Sequence, residues 1–218
     1  MATSGTKTFS IDTAEVIEEA YELAGLELRT AYDAQTARRS LNILFADWSN
    51  RGINLWTISQ VTLSLVESTS SYTLNSYDID ILEAVIRRDN TDISIDRISR
   101  AEYLNIPTKS TEGRPSQFFV DRQETPVLYL WPTPENSTDQ LISYRLQRID
   151  DVTASAQDQE VPSRFIPPMV YGLAYQVALK KNPQMAAPLK MEYEENFMRA
   201  AEEDRSRASV HLVPRIRV

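Results

Sequence analysis

Periodicity predicts an α+β protein: a four-helix bundle drawn from both ends of the chain, an inserted antiparallel β-sandwich or barrel, and an extended C-terminal arm. Three observations predict it. Apolar residues recur at helical spacing up to Trp56, alternate with polar residues from there to Leu146, and return to helical spacing after Glu160. The expected division is residues 1–57 and 161–207 for the bundle, 58–160 for the β-module and 208–218 for the arm.

The first helix has a full set of start signals. Asp12 is the expected N-cap, Glu15 closes a capping box, and Ile11 and Val16 stand at the staple positions. Val16, Ile17, Ala20, Tyr21 and Ala24 form its stripe, and Gly25 is the expected left-handed stop. A second helix is expected from about Asp33 to Arg51, with Gly52 as its stop and Ala37, Leu41, Leu44, Phe45 and Trp48 on one face. Arg38, Arg39, Asp47 and Arg51 lie off that stripe and read as a solvated face.

Val61, Leu63 and Leu65 then alternate with Gln60, Thr62 and Ser64, as in a half-buried strand. Two more strands, Ile81 to Arg88 and Ile93 to Ile98, flank the Asp89-Asn90-Thr91-Asp92 turn. Ser99 and Glu102 make a second capping box for a short helix over about 100–105, stapled by Ile98 and Tyr103 and ended by Pro107. In EGRPSQFFVDRQETPVLYLWPTPE, residues 112–135, Phe118 and Val120 oppose Phe119 and Asp121; Leu128 and Leu130 oppose Tyr129 and Trp131. Ile142, Tyr144 and Leu146 alternate in a further strand.

After the acidic link Asp150 to Glu160, Pro167-Pro168 opens a helix through Lys181, since proline suits a first turn where its missing N–H has no partner. Asn182-Pro183 breaks it, and a last helix runs from about Gln184 to Ser206 with Leu189, Tyr193, Phe197, Ala200 and Ala201 on one side. Glu194, Glu195, Glu202 and Glu203 stand on the other.

Composition narrows the chemistry. With no cysteine there is no disulfide, thiolate metal site or cysteine nucleophile. No apolar run approaches the roughly 20 residues of a membrane span, and the opening Met1-Ala2-Thr3-Ser4-Gly5 lacks a signal-peptide layout. A net charge of −8 argues against non-specific nucleic-acid binding, although an acidic wall suits a surface that DNA must slide past. His211 is the only histidine, which leaves no histidine dyad, triad or metal cluster. The glycines form no phosphate-binding motif.

Asp78 with Asp80, and Asp150 with Asp151, are local acid pairs of the kind a carboxylate-dependent hydrolase would use, but they read as loop acids serving turns and solubility. Asp150, Asp151 and Asp158 could hold calcium, yet their spacing matches no EF-hand loop. Phe118, Phe119, Tyr129 and Trp131 could form a carbohydrate-binding platform in a tail or fibre component; the plainer reading puts half in the core and half in cross-strand pairs. No catalytic residue, cofactor-binding residue or metal ligand is assigned, and no cofactor is expected.

The final segment is patterned as a strand. Val210, Leu212, Ile216 and Val218 share one parity, interrupted by Pro214, while His211, Arg215 and Arg217 take the other. Chain ends are usually polar and frayed. An apolar, cationic end on an acidic protein fits a partner-binding arm that adds a strand to another subunit's sheet. Eleven extended residues reach roughly 35 Å. The alternatives are an unordered tail or a strand added to the chain's own sheet.

Three segments, RRSLNILFADWSNRGINLW, EGRPSQFFVDRQETPVLYLWPTPE and VPSRFIPPMVYGLAYQVA, resemble the head-to-tail adaptors (connectors) of short-tailed bacteriophages, also called tail tubular protein A. The similarity spans roughly residues 10–206. The resemblance implies a virion protein made in the host cytoplasm and assembled at the head–tail junction as a ring, with twelve copies in the family. Its bundle and arm would face the portal protein, its β-module the tail nozzle or tail fibres, and its bore the passing DNA. It also implies a non-enzymatic role and a free monomer that assembles on its platform. Only the arm, Ser209 to Val218, occupies a position that matches the family's, and arms of the family vary in sequence.

Overall fold

The structure, a computed structural model, describes residues 11–51, 55–154 and 156–203, together with Gly5 and Phe9. It is a mixed α+β fold with five α-helices among the described residues. Two compact units divide the chain, one of residues 1–53 and 150–218 and one of residues 54–149.

The first unit holds α1 (Thr13–Leu23), α2 (Ala31–Asn50), α4 (Ile166–Lys181) and α5 (Ala186–Glu203). The capping box at α1 forms as the sequence predicts: Asp12 accepts from the Glu15 backbone at 2.8 Å and Glu15 accepts from the Asp12 backbone at 3.1 Å. Its end is a Schellman turn. Gly25 adopts φ +67°, Leu26 N donates to Tyr21 O and Gly25 N to Glu22 O, both at 2.9 Å. Helix α2 begins at Ala31, earlier than expected, because the Thr30 hydroxyl accepts from Asp33 N and so caps it.

Helix α4 contacts α1, α2 and α5. It is buried on more than one side, with Met169, Val170, Leu173, Ala174, Val177 and Ala178 all inaccessible, as a central helix requires. Gly172 lets its neighbours approach: a Cβ there would stand 2.9 Å from Leu44 Cδ2 and from Tyr193 Cε2. Trp48 is fully buried, with ring centroids 5.5 Å from Phe165 and 5.7 Å from both Phe45 and Phe197. The link after Asp150 groups with these helices because it is bonded to them. Asn42 exchanges hydrogen bonds with the Val152 backbone, and Thr13 N donates to Gln157 O at 3.1 Å.

The second unit holds β1 (Ile58–Ser64), β2 (Ser71–Thr73), β3 (Asp78–Arg88), β4 (Thr91–Ser94), β5 (Asp96–Arg97), α3 (Arg100–Asn105), β6 (Glu112–Gly113), β7 (Gln117–Asp121), β8 (Val127–Trp131), β9 (Thr133–Pro134) and β10 (Gln140–Gln147). One sheet has the order β1-β10-β3-β4 and is antiparallel throughout. A second has the order β2-β8-β7-β5, and β6 pairs with β9. The short β5–β7 and β6–β9 pairings are parallel, which departs from a wholly antiparallel module. The expected strand from Ile93 to Ile98 divides accordingly, β4 pairing with β3 and β5 with β7. Ile81, Ile86 and Leu141 of the first sheet share one core with Phe118, Val120, Leu128 and Leu130 of the second.

A bulge interrupts β3. Tyr144 pairs with Glu83 but Arg145 pairs with Ile81, so Leu82 is the extra residue and turns outward.

Candidate interaction surfaces

The residues singled out for chemistry are mostly engaged elsewhere. Asp78 and Asp80 are not loop acids: they open β3 and are buried. Arg145 donates to Asp78 at 2.9 Å, Gln147 donates to it at 2.9 Å, and Arg97 donates to Asp80 at 2.9 Å. A burial this deep requires paired charges, and each carboxylate has an arginine. Sequence missed this because the arginines lie 67 and 17 positions away, on strands whose register no local pattern reveals.

Asp150, Asp151 and Asp158 do line one shallow cavity of about 190 Å³, with Gln157, Gln159 and Glu160. Among the described residues, however, no three Asp, Glu, His or Cys side chains come together closely enough to hold a metal ion. Asp158 is paired through its backbone with Asp12.

The aromatic set divides. Phe118 lies in the core. Phe119 clusters with Tyr103 of α3, 5.5 Å away, and Tyr129, 5.9 Å away, which are themselves 5.3 Å apart. Trp131 Nε1 donates to Thr108 O at 3.2 Å. The outer side of this sheet is thus covered by the chain's own helix and loop. The arm residues Val210, His211, Leu212, Pro214, Arg215, Ile216, Arg217 and Val218 lie outside the described residues.

Arg51, read from the sequence as part of a solvated face, is exposed and also pairs with α5. It donates to both Glu194 oxygens at 2.9 and 3.0 Å, to Asp47 at 2.9 Å, and its guanidinium sits 4.5 Å from the Phe197 ring centroid. The paired guanidinium holds the Glu194 carboxyl below the usual carboxylate range. Burial pushes the Tyr193 phenol up to about 12. Lys181 and Asp33 form a further ion pair joining α4 to α2, which lowers the Asp33 carboxyl below its ordinary value.

Among the described residues, surfaces remain that no internal contact covers. On α5, Met191 and Met198 are 75% and 59% exposed and lie seven residues apart, so they share a face opposite the buried Leu189-Tyr193-Phe197 stripe. Tyr32 and Ile43 are likewise exposed on α2. The spacing of the methionines was visible in the sequence, but only the buried stripe was expected to matter. On the β-unit, Leu82 and Tyr144 are exposed on the first sheet, and β1 is an edge strand. Exposed apolar positions of this kind mark contact surfaces when they cluster.

The family model described as SU10 adaptor protein matches residues 14–215. The chain belongs to that family. The membership points to a bacteriophage structural adaptor and a component of the virion, which interacts with other phage particle components. No curated protein matches the chain. For an SU10-family adaptor the arrangement above is coherent: buried charges serve the fold, and the uncommitted features are surfaces and an edge. Among the described residues no helix is long and apolar enough to cross a membrane.

Proposed function

We propose that this chain is a head-to-tail adaptor of a short-tailed phage, a ring subunit that joins the portal protein to the tail nozzle and lines the path of the DNA. The observation that carries the reading is the family match over residues 14–215, which takes in both compact units. Two units of different architecture give an adaptor two surfaces for two partners, the helices for the portal and the β-unit for the nozzle or tail fibres. A bundle of α1, α2, α4 and α5 with a two-sheet β-module would fit this role, as the sequence resemblance implies. The net charge of −8 keeps phosphate from adhering to a bore through which DNA passes.

The proposed role is non-enzymatic, a reading supported by the commitment of Asp78 and Asp80 to arginine partners. A carbohydrate platform has less support, since Phe118 is in the core and Phe119 lies under Tyr103. The ring is expected to hold twelve copies at the head–tail junction, with the protein made in the host cytoplasm. The arm from Ser209 to Val218 locks it to partners.

Removing residues 208–218 tests the reading. The truncated chain is expected to fold, with unchanged circular dichroism and melting, and to lose association with portal rings in co-sedimentation. Association equal to that of the full chain would contradict the role given to the arm.

A further inference from the structure

The edge of β1 is unlike the other edges of the two four-stranded sheets. Natural edge strands are blunted by being short, by charge or by proline, because an open edge offers unpaired backbone groups to any extended chain. Strand β2 has three residues, β5 has two, and β4 has four, including Asp92 in an ion pair with Arg87. Strand β1 has seven residues, Ile58-Ser-Gln-Val-Thr-Leu-Ser64, with no charge and no proline. Among the described residues all seven pair with β10 and with no strand on the other side. Its inward residues are incompletely covered: Leu63 packs on the core shared by the two sheets and is only partly buried, and Val61 shares its parity and its partial burial. Gln60 and Thr62, on the other parity, are exposed.

We infer that this edge receives residues 209–218 of a neighbouring copy as an added strand. The segment has the pattern the edge lacks. Val210, Leu212, Ile216 and Val218 share one parity and would extend the core over Val61 and Leu63. His211, Arg215 and Arg217 would fall on the outer side with Gln60 and Thr62. Once added, the segment becomes the new edge, and Pro214 with the two arginines supplies the blunting that β1 does not have. Length also fits. Residues 204–208 precede the segment, five residues that reach roughly 17 Å when extended, as a tether. The inference takes from the adaptor reading only the premise that copies meet side by side.

The absence of native cysteine makes the contact directly readable. Full chains carrying Thr62→Cys are mixed with differently tagged full chains carrying Val213→Cys, with and without portal rings. A short bismaleimide, which tolerates a one-pair register shift, then joins neighbouring thiols. The expected result is a tagged heterodimer at least tenfold more abundant than with Ser94→Cys on β4 in place of Thr62→Cys. Equal yields would overturn the inference. Rings that form on portals without the cross-link would sink the strand exchange and leave the adaptor reading standing. The cross-link in solution with portals left bare would do the reverse.

Discussion

Arg145 donates to Asp78 at 2.9 Å across the β10–β3 ladder, with side chains 4% and 0% exposed. A pair this deep contributes little net stability, but breaking it leaves one charge in the interior with no counterion. Arg145→Met is therefore expected to cost about 3–5 kcal/mol. The double change Arg145→Met with Asp78→Leu should recover much of that loss, because the stranded carboxylate is gone. Urea unfolding of the four proteins of this cycle measures it; additive losses would refute the coupling.

A second pairing spans the helical unit. Trp48 Nε1 donates to the Tyr193 hydroxyl at 3.0 Å in a buried aromatic cluster. Tyr193→Phe keeps the ring and removes the acceptor, so a buried N–H loses its partner at an expected cost of about 1–3 kcal/mol. Thermal unfolding followed by tryptophan fluorescence checks it, and an unchanged midpoint would mean that the hydroxyl is dispensable.

Acid should act through Glu194. Its folded-state carboxyl is held below its ordinary value by Arg51, so the unfolded chain takes up the proton first as pH falls. The stabilisation is present above the ordinary glutamate value of about 4.3 and is lost as pH falls through the lowered folded value. Between pH ~5 and ~3 the native chain should lose stability more steeply than Glu194→Gln, and its advantage over that variant should shrink. Parallel slopes in pH-dependent melting would contradict this. Both groups are partly solvated, so high salt should weaken the effect.

Much of the fold could be read from local signals. Asp12 with Glu15 and Ser99 with Glu102 form the capping boxes their spacing predicts, and Gly25 takes the left-handed conformation. Those signals act within a few residues, where sequence and geometry correspond directly. Legibility ended where contacts are long-range. Asp78 looked like a loop acid because its partner is on a distant strand, and the pairing of Arg51 with Glu194 was hidden because the two lie 143 positions apart. The β3 bulge at Leu82 and the parallel β5–β7 pairing depend on register, which alternation alone does not set. The interaction surfaces were the hardest to see, since Met191, Met198 and the β1 edge gain meaning only when the fold shows them uncovered among the described residues.

The central claim is tested most directly by electron microscopy of the purified chain mixed with portal rings. The account predicts a crown of added density at one mouth of the ring, with the symmetry of the portal. Bare rings at saturating protein, under conditions where the chain is folded, would contradict it.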